Sequence, residues 1–191
     1  VSLDALALVR FGLRTPDDPR ILSTLKVIDA TLKVETPRGP GWHRYQGDGY
    51  GEHADGRAYD GSGIGRAWPL LTGERAHYEL AAGRLQTAEY LMHAMEAMAG
   101  DAGLLPEQVW DSADIPGREL YIGHPSGSAM PLVWAHAEYL KLCRSVYDGH
   151  TFDQPPQTVE RYLVEQTTSD RIVWRFNNKV RAMPASRTLR V

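Results

Sequence analysis

The sequence predicts a mainly α chain, an α/α toroid or solenoid, followed by a short β-rich tail. Three observations carry that reading. Apolar residues recur at three- and four-residue spacing over five segments, the connections between those segments alternate between short and long, and from Asp170 onward apolar residues alternate one by one. Helices joined in this way stack as hairpins, and their long loops then share one rim. A site is expected on that rim.

Residues 2–13, SLDALALVRFGL, set Leu3, Leu6, Leu8 and Val9 on one broad apolar face, with Gly12 at the exit. After RTPDDPR, residues Ile21, Leu25, Ile28 and Leu32 fall at helical spacing. This second helix is expected to end near Glu35, because Pro37 forbids continuation. Residues 39–65 hold nine glycines in 27 positions with no apolar periodicity. Loops of this length inside a compact domain are functional or disordered, and the aromatic residues here argue for order. Residues 66–82 and 84–99 return to helical composition around Gly83, with Leu85, Ala88, Met92, Met95 and Met98 along one side. A polar, proline-containing loop then runs from LPEQVWD, residues 105–111, to HPSGSA. In MPLVWAHAEYLKLCRSVYD the residues Leu132, Ala135, Tyr139 and Leu142 repeat at three or four, and Pro131 suits a first helical turn. Ile172, Trp174 and Phe176, and then RTLRV, read as strand. Residues 1–165 are therefore expected to form one helical unit and residues 166–191 the start of a β-rich segment.

Composition works by exclusion. A chain of 191 residues suits one domain with a real core. A formal charge of −3 gives no reason to expect a nucleic-acid partner, and no apolar run approaches the roughly 18 residues of a membrane span. No basic start followed by an apolar stretch resembles a signal peptide, and Val1 is not an initiator methionine, so the chain is expected to begin inside a longer one. The single cysteine, Cys143, has no internal partner and reads as a buried, inert thiol.

The chemistry-bearing residues gather in the two long loops. Arg44, Asp48, Tyr50 and Glu52 lie in the first, Trp68 just after it, and Glu107, Gln108, Trp110 and Asp111 in the second. Carbohydrates are neutral, hydroxyl-rich and flat-faced, so their sites combine carboxylates and Arg with aromatic rings. Arg, Asp and Trp also build purely structural loop networks, and on composition alone that alternative stays open. The histidines at 43, 53, 77, 93, 124, 136 and 150 form no recognised ligand motif, and hydrogen-bonding roles are expected of them. The acids of GDGYGEHADG are not at EF-hand spacing, and neither metal nor other cofactor is expected.

GWHRYQGDGYGEH, GIGRAWPLLTGERAHYELAAG, GLLPEQVWD, HPSGSAMPLVWAHAEYLKL and WRFNNKVRAMPASRTLRV resemble, in this order, the C-terminal part of the catalytic domain of glycoside hydrolase family 15, in its bacterial glucoamylase and glucodextranase branch. The resemblance implies part of an (α/α)6 toroid, about half of its twelve helices. It implies hydrolysis of α-glucosidic bonds from non-reducing ends with inversion, on an α-glucan or maltooligosaccharide. In that family the glutamate of the PEQ motif is the general base, which places the role on Glu107, with Gln108 and Trp110 shaping the glucose pocket. Arg44 and Asp48 match a substrate-contacting segment, and Trp68 matches an aromatic of the pocket wall, with a core position as the alternative.

The family's general acid lies on a central loop upstream of the position of Val1, and no matching motif occurs here. The resemblance therefore implies a fragment whose partner is the N-terminal half of the same enzyme. In isolation it would be catalytically silent, with apolar helix faces left open. Asp48, Glu52, Asp55 and Asp60 crowd the first loop as conceivable replacements for the acid. Linkage stays open between α-1,4, α-1,6 and trehalose. A secreted or periplasmic location is favoured slightly over a cytoplasmic one.

Overall fold

The computed structural model describes residues 1–165, 173–176 and 179–182. A 3-10 turn over Leu3–Leu6 runs into the short helix α1 (Ala7–Arg10). Helix α2 (Pro19–Leu32) and the hairpin of β1 (Lys33–Thr36) and β2 (Gly39–Trp42) follow. Beyond the first long loop come α3 (Pro69–Ala81) and α4 (Leu85–Ala97), and beyond the second come α5 (Val133–Asp148), α6 (Pro156–Val159) and a π-helical turn over Glu160–Val164. Strands β3 (Val173–Phe176) and β4 (Lys179–Ala182) pair antiparallel, as expected of a β-rich tail. The RTLRV stretch and the expected boundary at 166 lie outside the described residues.

Helix α3 is the centre of the packing. It lies against α1, α4, α5 and β2, and its Leu70, Leu71, Ala76 and Tyr78 join Leu91 and Met95 of α4 with Ala135 and Leu142 of α5 in one core. Gly73 makes this approach feasible, since a methyl group there would stand 2.9 Å from Cγ of Glu138 and 3.1 Å from Sδ of Met95. Helix α2 starts on Asp18, whose carboxylate accepts the Arg20 N–H, with Pro19 in the first turn. It buries Ile21, Ile28 and Leu32.

Four expectations need correction. The second helix ends at Leu32 and not near Glu35, because residues 33–36 pair with Gly39–Trp42 and bury the Trp42 ring. The first segment is not one helix over 2–13, and its Leu8 is exposed along with Leu85 of α4. Pro131 lies outside α5, because Leu132 is extended, at φ −93° and ψ 111°, and the helix begins one residue later. Cys143 is half-buried, its sulfur 4.0 Å from that of Met92. Helix α5 carries exposed Val133, Trp134, Leu140 and Tyr147. No helix among the described residues is long and apolar enough to cross a membrane.

Charges are buried in pairs beneath α3. Arg10 donates to Glu138 at 2.7 Å and to Asp153 at 2.9 Å, and His77 lies 2.7 Å from the same Glu138. Glu74 of α3 lines a cavity of about 230 Å³ with Leu3, Leu6, Arg10, Trp134 and Glu138. Burial, followed by the charge of Glu138, pushes its carboxyl up to about 7. The folded state therefore binds the Glu74 proton more tightly than the unfolded chain does. Stability from this group is full below about pH 4.5 and is lost as pH rises through about 7, an effect of about 3 kcal/mol. Denaturant unfolding at pH 5 and pH 7.5 should show a smaller difference for Glu74→Gln than for the wild type; equal differences would mean that Glu74 titrates as an ordinary carboxyl.

Candidate active site

The segment Leu105–Asp111 is held as a rail, with a bend at Glu107. The Leu105 N–H donates to Nε2 of His136 at 3.0 Å, and the Leu105 carbonyl accepts from Leu132 at 2.9 Å. The Glu107 N–H donates to Ala129 at 2.8 Å, that of Val109 to Ala67 at 2.9 Å and that of Trp110 to His124 at 2.8 Å. The Gln108 carbonyl accepts from Ser126 at 3.0 Å. With its peptide groups so engaged on both sides, the rail presents the half-exposed carboxylate of Glu107 from a fixed backbone.

The glycine-rich loop faces it. Arg44 grips Asp48 with two parallel hydrogen bonds, Nε to Oδ2 at 2.7 Å and Nη2 to Oδ1 at 2.8 Å. Its guanidinium stands over the rings of Tyr50 and Trp68, 4.9 Å from each centroid. Burial alone would raise the Asp48 carboxyl, but the bonds from Arg44 and from the Tyr50 N–H outweigh it and hold Asp48 below the usual carboxylate range. The hydrogen bond to Asp48 raises Arg44 in turn. The hydroxyl of Tyr50 donates to Oε2 of Glu107 at 3.1 Å, so the two loops meet at this carboxylate. Within the loop the chain crosses itself closely: Gly65 N–H donates to the Asp48 carbonyl at 2.8 Å, and a methyl on Gly63 would overlap the carbonyl oxygen of Gly51.

Arg66 joins loop to rail from below. It is 2% exposed, lies over the Trp110 ring at 4.1 Å, and donates to Asp111 at 3.1 Å, to Ser112 at 2.8 Å and to the carbonyls of Glu52 and His53 at 2.9 and 3.1 Å. Its own N–H donates to Oε1 of Gln108 at 2.7 Å. Asp111 also accepts from His43 at 2.7 Å and from the Ala67 N–H at 3.0 Å. Burial pushes Asp111 upward, yet His43 and Arg66 win and keep it ionised below its usual range.

The structure thus brings Arg44, Asp48, Trp68 and Glu107 together, through Tyr50. It does not bring Gln108 and Trp110 to the open face. Both are buried, Gln108 against the backbone of Arg66 and Trp110 beneath its guanidinium, with the indole N–H donating to the Ala113 carbonyl at 2.9 Å. Trp68 takes the core position, the alternative to the pocket wall: it is 3% exposed and packs in the core, with the Arg44 guanidinium against its ring. Sequence reasoning misses Arg66 and the pairing of His43 with Asp111; a lone Arg closing a glycine run is the signal it passes over. Among the described residues, the buried polar atoms without a hydrogen-bond partner are Glu52 Oε2, Arg66 Nε and Trp68 Nε1, all in this loop region. No three metal-ligating side chains converge among the described residues.

Removing Arg66 takes the guanidinium from the buried Asp111 carboxylate and one donor each from the Glu52 and His53 carbonyls, so Arg66→Ala is expected to lower unfolding free energy by about 3 to 5 kcal/mol. Denaturant titration measures this, and a loss within ordinary surface-mutation scatter would show that the loops are held by other means.

Comparison with known proteins gives this geometry a family. Residues 2–144 match the family described as Glycosyl hydrolases family 15. A glucoamylase from Clostridium sp. (strain G0005) is 48% identical over 160 residues, 84% of this chain and 21% of that protein. The crystal structure of a bacterial glucoamylase complexed with acarbose superposes with a TM-score of 0.77 at 47% identity, covering 85% of this chain and 23% of the other. A structure described as a wild-type glycosidase superposes at 0.55 with 26% identity, over 78% of this chain and 36% of its own. The chain spans about a fifth of the length of the glucoamylase it matches. The mainly helical fold, the order of loops and helices, and the extent of the match make one conclusion: the chain belongs to glycosyl hydrolase family 15.

Proposed function

We propose that this chain supplies the general base and part of the sugar pocket of an exo-acting, inverting α-glucosidase of the glucoamylase type, releasing β-glucose from non-reducing ends of α-glucans. One observation carries the reading: the Glu107 carboxylate, fixed on its rail, stands at the rim beside an Arg44 guanidinium held by Asp48 and two aromatic rings. Glu107 takes a proton from water while the water oxygen bonds to the anomeric carbon from the face opposite the leaving group. The glycosidic oxygen departs with a proton from a second carboxyl about 6.5 to 9.5 Å away from the first. That acid belongs to a part of a longer polypeptide outside this chain. Residues 1–165 form the C-terminal part of the catalytic domain in this reading, and the segment from 166 begins a β-rich one.

Arg44 donates paired hydrogen bonds to sugar hydroxyls and Trp68 backs it. Gln108 and Trp110 act from behind, setting the shape of the pocket through Arg66 and the rail. Initial rates on maltotetraose, isomaltotetraose and trehalose assign the linkage.

In the full-length enzyme, Glu107→Gln is expected to lose at least about 10² in kcat with substrate binding largely kept. Turnover near the wild-type rate would remove Glu107 from the mechanism. Arg44→Ala is expected to weaken binding of acarbose, read by calorimetry, by about tenfold, the loss of one charge-assisted contact. Unchanged affinity would confine Arg44 to holding the loop.

A further inference from the structure

The two sides of Glu107 are held differently. On the C-terminal side the next residue is tied directly, the Gln108 N–H donating to Oγ of Ser128 at 2.9 Å. On the N-terminal side stands Pro106, which has no N–H to offer, so the first main-chain donor before Glu107 is that of Leu105. This N–H ends on a side chain of another element, Nε2 of His136 in the first turn of α5, at 3.0 Å. The Leu105 carbonyl accepts from Leu132, immediately before the same helix, at 2.9 Å. Both polar groups of a buried residue are thus fastened to the entry of α5. The φ angle of Pro106, fixed by its ring, passes that placement on to Glu107.

An imidazole nitrogen accepts a hydrogen bond only while it carries no proton, so this hold is open to the neutral ring alone. With a proton on Nε2, two donors face each other. His136 lines a cavity of about 210 Å³ with Glu96, Ala99, Gly103, Leu105 and Tyr139. The titratable groups there besides His136 are Glu96 of α4 and Tyr139 of α5. Glu96 is engaged at both oxygens, by the Tyr139 hydroxyl at 2.6 Å and by Nδ1 of His93 at 2.8 Å, and neither bond involves His136. Burial alone would raise the Glu96 carboxyl, but these two bonds outweigh it and hold Glu96 below its usual range. The bond to Glu96, followed by burial, raises the Tyr139 phenol, which keeps its proton.

We propose that His136 is a positioning residue for the reaction: its neutral imidazole accepts the Leu105 N–H, fixes the head of the rail and so sets where the Glu107 carboxylate stands. The proposal rests on the reading of Glu107 as general base. The hold depends on one lone pair, which a proton removes. Imidazole is the side chain that ordinarily gains a proton between pH 5 and 8, so the rail carries an acid-sensitive latch behind the site. Glutamine presents an amide oxygen at about the reach of Nε2 and accepts throughout that range, whereas leucine presents no acceptor.

The test compares His136→Gln and His136→Leu with the wild type in the full-length enzyme, on a maltooligosaccharide, with Glu107→Gln alongside. At pH 7.5 His136→Leu is expected to lower kcat by about tenfold or more with KM within about twofold, the pattern of a displaced catalytic group. His136→Gln should restore kcat to within about threefold of the wild type. Between pH 7.5 and pH 5 the ratio of kcat in His136→Gln to that in the wild type should rise by about threefold or more, because only the imidazole loses its acceptor. The titration of Glu107 is common to both and cancels in this ratio. Wild-type kcat in His136→Leu, glutamine failing to restore what leucine loses, or a ratio that stays flat across pH overturns the positioning role. Should His136→Leu not fold, the glutamine ratio decides alone. If Glu107→Gln retains wild-type turnover, the base assignment fails and this role with it; if Glu107→Gln is inert while both His136 variants match the wild type, only the role of His136 fails.

Discussion

One buried guanidinium holds the two loops in register. Placing a charge in a protein interior costs several kcal/mol unless its partners repay it. For Arg66 the partners are Asp111, Ser112, two backbone carbonyls and the face of Trp110. Those groups come from both sides of the site, so the cost is offset only when the glycine-rich loop and the rail are in their native places. Functional loops must be as exact as core elements while running over a surface. Here the exactness comes from a polar centre under the loops, and helix α3 carries that centre into the apolar core through Trp68.

The loop region tolerates local dissatisfaction that the rest of the described residues do not. Beneath α3 the buried ions Arg10 and Glu138 and the half-buried Asp153 find partners at 2.7 to 2.9 Å. Around the loop, by contrast, Glu52, Arg66 and Trp68 each leave a buried polar atom unpaired. Proteins depart from full polar satisfaction where geometry serves chemistry before stability. All three belong to residues 52–68, at the end of the glycine-rich loop.

Most of the helical frame was legible in the sequence because it rests on a period. Ile21, Ile28 and Leu32, or Ala135 and Leu142, repeat at spacings that only a helix turns to one side, and all are buried. The boundaries were less legible, since they depend on pairing at a distance: Lys33–Thr36 could continue a helix but for the strand Gly39–Trp42 beside it. The site was half legible. Residue types that suit sugars mark Arg44, Asp48 and Glu107, and motif resemblance singles out Glu107. Nothing local says that Gln108 and Trp110 turn inward, or that Arg66 joins them, because those orientations follow from how two loops separated by the α3–α4 pair are laid across each other.

The loop is clasped at its base. Trp42 closes the β1–β2 hairpin, Trp68 opens α3, and the Trp68 N–H donates to the Trp42 carbonyl at 3.0 Å. Everything between these two tryptophans is a closed ring as far as the scaffold is concerned. The entropy of closing such a ring grows only with the logarithm of its length, about 0.6 kcal/mol for each doubling. Residues can therefore be gained or lost at the outer turns of the loop, around Gly47 and Gly61 where the backbone is unobstructed, with little effect on the helices below. The clasp separates the helical scaffold from the outer turns, so the rim can change length without reopening the fold beneath it.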